Sequence, residues 1–189
     1  VGSAWATEKF NASKSWSTIF RFQISHPSSG GGDGIGFHIH ADGIDQKWFE
    51  KTNIEIENIV FLSRHRAASG RPSLTVHPIG NWGKADYGGL PGEVSGASPV
   101  WMTGLLLKIY ENRLPGYDVC FEATHHGPLI ETPTMFLEIG SSENQWGLRE
   151  PAEALVKSLL ELEPAKGIKV VGIGGGHYAP RFTEATLSH

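Results

Sequence analysis

Residues 168–181, IKVVGIGGGHYAPR, contain the pattern that most constrains the fold. The apolar side chains at positions 168, 170, 171 and 173 predict a short buried strand, which ends at Gly174, Gly175 and Gly176. Consecutive glycines add chain entropy that folding must remove, so this run indicates positive φ angles or close approach of the backbone to a ligand. His177, Tyr178 and Arg181 would then lie at a binding site. The alternative interpretation is a glycine turn with a capping histidine and a surface arginine.

Several strand and helix patterns precede this segment. Apolar alternation or short apolar runs predict strands at residues 18–24, 35–40, 56–63, 73–77, 117–124 and 134–140. Helical spacing of apolar residues predicts helices over 99–114 and from about Gln145 or Arg149 to Leu162, with a helical turn at 45–51. The order of these elements predicts an α/β fold with a mixed sheet flanked by helices. Residues 35–189 would form a single domain behind a poorly defined N-terminal segment at 1–34.

Composition limits the classes of function. The chain has 189 residues and a net charge of −4, which argues against a general polyanion binder but allows a local basic patch. The single cysteine, Cys120, cannot form an internal disulfide, so a reducing compartment is expected. No apolar run reaches the roughly 18–20 residues that span a bilayer, and no signal peptide is visible. We therefore expect a cytoplasmic protein with no membrane partner.

Histidine is unusually frequent, with nine in the chain, and most of them fall near the ends of predicted strands. The motif EATHHGP at 122–128 places His125 and His126 together at a turn, where two rings can splay around one centre. Zinc could bind there, with Glu122 or Glu138 as a carboxylate ligand or as a partner that orients a ring. The competing chemistry uses one histidine as general base and glycine-run amides as oxyanion donors. The predicted catalytic residues are His125, His126, His177 and Glu138, and the predicted zinc ligands are His65, His77, His126 and His177.

Arginines predict an anion-binding loop. Arg64, Arg66 and Arg71 lie within eight residues, and guanidinium groups bind phosphate or carboxylate bidentately. A solvated loop is the alternative interpretation. Residues 78–97 form a long glycine-rich loop, and loops of this length in compact domains are usually functional.

Four motifs together resemble one family. SRHRAASGRPSLTVHPIGN at 63–81, EATHHGP at 122–128, PTMFLEIGSSENQW at 133–146 and GIGGGHYAPR at 172–181 occur in this order. The chain therefore resembles the D-aminoacyl-tRNA deacylases of archaea and plants over roughly residues 36–188. Its sequence is more similar to the eukaryotic branch of that family. The N-terminal residues depart from the family pattern, and a C-terminal segment expected of the family is missing, so the chain resembles a truncated member.

The resemblance implies an α/β domain similar to peptidyl-tRNA hydrolase or phosphorylase-like folds. It also implies a zinc-associated enzyme that hydrolyses the ester between a D-amino acid and the terminal ribose of tRNA. The residues expected to bind substrate are Arg64, Arg66, Arg71, Ser141, Gly174, Gly175, Gly176, Tyr178 and Arg181. The expected partner is the acceptor end of tRNA, bound by a monomer.

Two other functions remain open from the residues alone. One is a metal-dependent hydrolase of a small ester, amide or nucleoside. The other is an inactive module that binds tRNA or a protein, because a tail missing from the chain would leave the site incomplete.

Overall fold

A computed structural model describes residues 34–36 and 57–188, which belong to one compact unit made of residues 32–37 and 56–189. Its elements are β1 (Gly34–Gly36), β2 (Ile59–Arg66), β3 (Ser73–Pro78), α1 (Pro99–Glu111), β4 (Asp118–Phe121), β5 (Thr134–Ser141), α2 (Glu143–Trp146), α3 (Arg149–Leu160) and α4 (Pro180–Leu187). The predictions for residues 18–24, 37–40 and 45–51 lie outside the described residues. The domain boundary after residue 34 stays a prediction.

The strands form one five-stranded sheet in the order β1-β2-β5-β3-β4. β2 runs parallel to β5, β3 runs antiparallel to β5, and β4 runs parallel to β3. The predicted mixed sheet flanked by helices is confirmed.

One face of this sheet carries the hydrophobic core. Leu74 and Val76 of β3 and Leu137 of β5 have no exposed surface, and they belong to the same apolar cluster as Leu105 and Leu106 of α1. Full burial of each such side chain stabilises the fold by about 1.5–3 kcal/mol. The apolar residues that recur at helical spacing in α1 and α3 therefore pack both helices against this face.

The opposite face of the sheet is polar. Side chains alternate between the two faces of a strand, and directly paired residues share a face. His65 of β2 pairs with Gly140, and His77 of β3 pairs with Phe136, while Glu138 lies midway between those two β5 residues. His65, His77 and Glu138 consequently lie on the same face of the sheet.

The predicted strand at residues 168–173 is wrong. This segment has no regular structure, and Ile168 and Ile173 are 90% and 91% exposed. An apolar run forms a strand only where a neighbouring strand supplies hydrogen bonds and a covered face, and the described residues supply neither here. The glycine expectation is confirmed, because Gly174 and Gly175 have φ angles of 104° and 93°.

Two other boundaries differ from prediction. β2 extends to Arg66, so Arg64 and Arg66 belong to a strand that pairs with β5 and not to a loop. The helix predicted to begin at about 145 or 149 begins at Arg149 as α3, and a separate short helix, α2, precedes it. Ser142 caps the start of α2 through a reciprocal capping box with Gln145, and α2 ends at Trp146 with Gly147 as its C-cap.

Gly104 of α1 provides a test of the packing between α1 and the chain that follows α3. A Cβ atom at this position would lie 2.0 Å from the backbone oxygen of Glu163. Gly104→Ala is therefore expected to lower the free energy of unfolding by about 2 kcal/mol, although alanine is the better helix former. Chemical denaturation would measure this change. The control is Gly147→Ala, because nothing lies within 4 Å of the added methyl there. Equal stability of the two variants would contradict the close approach.

Candidate functional site

The turn after β4 positions two histidines over the polar face. The N–H of Glu122 donates to the oxygen of Val76, so β4 pairing continues one residue beyond the strand. Farther along, the N–H of Gly80 donates to the oxygen of His126 at 2.8 Å. His126 has a φ of 45°, and the rings of His125 and His126 lie 4.5 Å apart at 72° to each other. This backbone turn is what lets adjacent side chains face one centre.

Five histidine rings form a continuous cluster. Successive ring centroids are separated by 5.6 Å from His65 to His177, 4.6 Å from His177 to His125, 4.2 Å from His125 to His77, and 5.0 Å from His77 to His126. The structure thus brings together all of the histidines predicted as catalytic residues or zinc ligands. We call these five residues the histidine cluster.

Two buried carboxylates lie against the histidine cluster. Glu122 Oε2 is 2.9 Å from His177 Nε2, 3.5 Å from His65 Nδ1 and 3.7 Å from His125 Nε2. Glu138 Oε2 is 3.6 Å from His65 Nδ1 and 3.8 Å from His77 Nε2. Both carboxylates are at most 3% exposed, so their negative charge acts on the imidazoles with little screening by water.

Backbone carbonyls set the tautomers of three histidines. The Nδ1 atoms of His77, His125 and His126 lie 2.9, 2.7 and 2.6 Å from the carbonyl oxygens of Pro78, Ala123 and Gly127. A carbonyl only accepts hydrogen bonds, so each Nδ1 carries the proton and donates it. In the neutral ring, each Nε2 therefore presents a lone pair.

The pKa values favour neutral rings in this part of the cluster. Burial lowers the pKa of His77 and outweighs the opposing charges of Glu138 and Glu122. Burial also lowers the pKa of His125, to about 4, and the neighbouring His77 and His126 add to that effect. Both imidazoles are consequently uncharged at neutral pH and can act as ligands or as proton acceptors.

The carboxylate end of the cluster behaves differently. Burial alone would raise the pKa of Glu122, but the contact with His177 and the charges of His77 and His65 lower it to about 2. For His65, burial would lower the pKa, but Glu138 and Glu122 together raise it. Glu122 is thus an anion at neutral pH, and its negative charge contributes to the raised pKa of His65.

These residues fit a bound cation. Ligand atoms of His77, His125 and His126 lie within 4.8 Å of one another, and so do those of His65, Glu122 and His177. Within the described part of the chain, His77 Nε2 and Glu122 Oε1 are buried without a hydrogen-bond partner, and Glu122 Oε2 lies against three histidines. An imidazole lone pair and a carboxylate repel each other unless a proton or cation lies between them, and buried unpaired polar atoms are costly. Imidazole and carboxylate are ligands that zinc accepts.

Tyr178 is attached to the same cluster. Its hydroxyl lies 2.7 Å from His65 Nε2, and the ring lies 5.1 Å from that of His177. The N–H of Ala123 donates to the oxygen of His177 at 2.7 Å, which fixes the glycine-rich segment to the end of β4. The glycine run places His177 and Tyr178 at the cluster without forming a strand.

The arginines do not converge on the cluster as one group. Arg64 and Arg66 both lie over the ring of Trp146, and Arg66 also pairs with Glu143. Arg71 pairs with Asp118, and Arg181 pairs with Glu184. Each of these ion pairs is largely exposed, so the guanidinium groups remain accessible to solvent. Their role in binding substrate stays a prediction.

Ser141 lies at the opposite end of the sheet from His77. Its hydroxyl donates to the oxygen of Arg71 at 2.6 Å, and the residue is 1% exposed. The carboxyl ends of β2 and β5 lie at the opposite edge of the sheet from those of β3 and β4, because the two pairs of strands run in opposite directions. The cluster therefore spans the polar face, from His65 beside Gly140 to His77 beside Phe136.

Glu122 was not in the predicted catalytic set, although the sequence allowed it as a carboxylate ligand. The structure shows it in contact with three histidines. The alternation of side chains along a strand predicts the side of β4 on which Glu122 lies, which is also the side of Cys120 and Asp118. What the pattern lacked was the pairing of β4 with β3, which places that side beside His77.

Known proteins match most of this chain. A family model described as D-aminoacyl-tRNA deacylase matches residues 52–189. The D-aminoacyl-tRNA deacylase of Pyrococcus furiosus is 45% identical over 152 residues, which is 79% of this chain and 56% of that protein. The chain belongs to the D-aminoacyl-tRNA deacylase family. The enzyme of the same name from Methanoculleus marisnigri is 41% identical over 151 residues, covering 79% of this chain and 33% of its own length.

A solved structure shares the deacylase fold. The crystal structure of a conserved protein of unknown function superposes with a TM-score of 0.68 at 41% identity, covering 75% of this chain and 52% of that chain. This family member thus spans about half or less of the length of these three relatives. The assignment to the eukaryotic branch stays a prediction.

Among residues 57–188, no helix combines the length and the apolar character needed to cross a bilayer.

Proposed function

We propose that this chain hydrolyses the ester bond of D-aminoacyl-tRNA and releases the D-amino acid and free tRNA. The observation that carries the proposal is the histidine cluster, in which three rings present Nε2 lone pairs beside two buried carboxylates. Family membership supports the substrate class, because the relatives are named for this activity. Ester hydrolysis needs an activated water and a stabilised oxyanion, and such a cluster can supply both.

We propose zinc as the cofactor. His65, His77, His126 and His177, the predicted ligands, all belong to the two groups of closely spaced ligand atoms, together with His125 and Glu122. When bound, zinc polarises a carbonyl and lowers the pKa of its water to about 7. The buried atoms left without a hydrogen-bond partner in this part of the molecule support a cation there.

The residues of the chain have separate roles in this mechanism. His125 stays neutral near pH 7, and its Nδ1–H is held by the oxygen of Ala123, so its Nε2 can accept the proton of the attacking water. Glu138 lies against His65 and His77 and orients both rings. Tyr178, whose hydroxyl contacts His65, can donate to the leaving ribose oxygen or orient that ring.

Partner recognition follows from charge. We propose that the acceptor end of tRNA binds beside the cluster, with phosphates held by Arg64, Arg66, Arg71 and Arg181. Contacts of this kind do not read sequence, which suits an enzyme that acts on many tRNAs. They also predict affinity that falls as salt concentration rises. The monomeric state and cytoplasmic location stay predictions.

The decisive assay uses D-tyrosyl-tRNA and L-tyrosyl-tRNA with the chain, before and after dialysis against a chelator. We expect hydrolysis of the D form alone, loss of at least about 100-fold in rate after chelation, and recovery when zinc is restored. Equal hydrolysis of both forms would contradict the proposal and favour a less selective metal-dependent hydrolase. Retained tRNA binding without turnover would identify a binding module. Full activity after verified removal of metal would exclude zinc from the mechanism.

A further inference from the structure

The loop between β3 and α1 has a fixed backbone. The N–H of Asn81 donates to the oxygen of Glu93 at 2.8 Å, and the N–H of Gly92 donates to the oxygen of Gly83 at 2.9 Å. The side-chain amide of Asn81, which is buried, donates to the oxygen of Gly88 at 2.8 Å. These bonds close the loop on itself, so its side chains project from a defined frame.

The same loop is attached to the histidine cluster. The N–H of Gly127 donates to the oxygen of Tyr87 at 3.1 Å, directly after His126. A Cβ atom at Gly127 would lie 2.3 Å from the nitrogen of Gly89, so the two backbones touch. Gly88 and Gly89 have φ angles of 85° and 81°, which non-glycine residues rarely adopt. The loop thus holds Tyr87 one hydrogen bond away from the cluster.

Two large aromatic side chains on this fixed loop lie in solvent. Tyr87 is 83% exposed and Trp82 is 78% exposed. Because these rings lie in solvent, they contribute little buried area to the hydrophobic core. Exposed aromatic surface on a fixed backbone is typical of a surface that binds a planar partner. Lys84 and Asp86 are the charged residues between them, and Lys84 can contact a phosphate.

We propose that Tyr87, assisted by Trp82, is a stacking platform for the unpaired bases at the 3′ end of tRNA. The inference rests on the proposed function and deepens it by naming the residues that hold those bases. The ester to be cleaved is attached to the terminal ribose, so the last bases must lie immediately beside the histidine cluster. Every base has a π face, so stacking on an aromatic ring tolerates any sequence.

The position of this platform favours a nucleic acid over a protein as its occupant. Tyr87 is joined to the backbone of the hydrolytic cluster, where a single-stranded end must enter for reaction. Arginines and Lys84 supply the opposite charge to phosphate on the same unit of the molecule.

The test measures binding of an uncharged, fluorescently labelled RNA stem-loop that ends in single-stranded CCA. We expect Tyr87→Ala to raise Kd roughly tenfold, because stacking on one aromatic ring is worth that much per base. Tyr87→Phe keeps the ring and is expected to bind like the unchanged chain. Leu160→Ala, at an equally exposed position on α3, is the matched control and should leave Kd unchanged. On the same stem-loop without CCA, Tyr87→Ala should have no effect.

The outcomes separate this inference from the proposed function. Equal Kd values for Tyr87→Ala and the unchanged chain overturn the platform, even if D-tyrosyl-tRNA is hydrolysed. A loss in Tyr87→Phe as large as that in Tyr87→Ala also overturns it, because the hydroxyl and not the ring would then be needed. A Tyr87-dependent Kd in a chain that hydrolyses neither tyrosyl-tRNA supports the platform and rejects the hydrolytic proposal. Circular dichroism confirms that each variant is folded.

Discussion

Glu122→Gln is expected to reduce D-aminoacyl-tRNA hydrolysis by at least about 100-fold and to weaken zinc binding by about 10–100-fold. Glutamine keeps the shape of the side chain but removes the negative charge that lies within 3.7 Å of His65, His125 and His177. Because Glu122 is 2% exposed, no solvent can replace that charge. Zinc content after equilibrium dialysis and single-turnover hydrolysis of D-tyrosyl-tRNA measure the two effects.

The control for this variant is Glu150→Gln, which removes a carboxylate from the exposed first turn of α3. It is expected to bind zinc and hydrolyse substrate like the unchanged chain. If Glu122→Gln keeps both its zinc and its rate, then the carboxylate is only a structural partner of the histidines, and the proposed site is incorrect.

Gly127→Ala is expected to lower the free energy of unfolding by about 2–3 kcal/mol and the rate of hydrolysis by about 100-fold. The added Cβ would lie 2.3 Å from the carbonyl carbon of Gly88 and 2.3 Å from the nitrogen of Gly89. Backbone cannot move aside as a flexible side chain can, so the loop must separate from the turn that holds His126. A displacement of about 1 Å at a catalytic ring is enough for a rate loss of that size.

Gly83→Ala in the same loop is the matched control, because nothing lies within 4 Å of its added methyl. We expect it to change the stability by less than about 1 kcal/mol and to leave the rate unchanged. Thermal denaturation measures the stability of both variants, and hydrolysis of D-tyrosyl-tRNA measures their rates. Normal stability and rate in Gly127→Ala would show that the loop and the histidine turn are not in contact.

The local patterns identified most of the regular structure. Pro99 begins α1, as the helical spacing over 99–114 predicts, and the strand predicted over 134–140 corresponds to β5 within one residue. These elements depend on side chains close in sequence. The segment 168–173 has an equally good strand pattern and forms none, since a strand also requires a neighbour, and neighbours come from distant parts of the chain.

The sequence likewise predicted some residues of the candidate site but not the contacts between them. The motif EATHHGP and the glycine run predicted that His125, His126 and His177 belong to one site. This was possible because the sequence shows which catalytic or metal-binding residue types lie at turns. The contact of Glu122 with three histidines could not be predicted from the sequence, since it depends on the pairing of β4 with β3 and on His65 being contributed by β2. The arginines near His65 were visible as a cluster, yet pairing along β2 directs two of them to Trp146.

By itself, the sequence determined the candidate site residues, most of the helices and strands, and the family to which the chain belongs. The candidate residues and the elements follow from residue type and short-range periodicity, and the family follows from the resemblance of four motifs. Only the tertiary structure decided that the site lies across the polar face of the sheet, where His65 of β2 and His77 of β3 lie near opposite ends of β5. The reason is strand direction: β2 and β5 run against β3 and β4, and that pairing is a long-range choice stabilised by the buried apolar face on the other side.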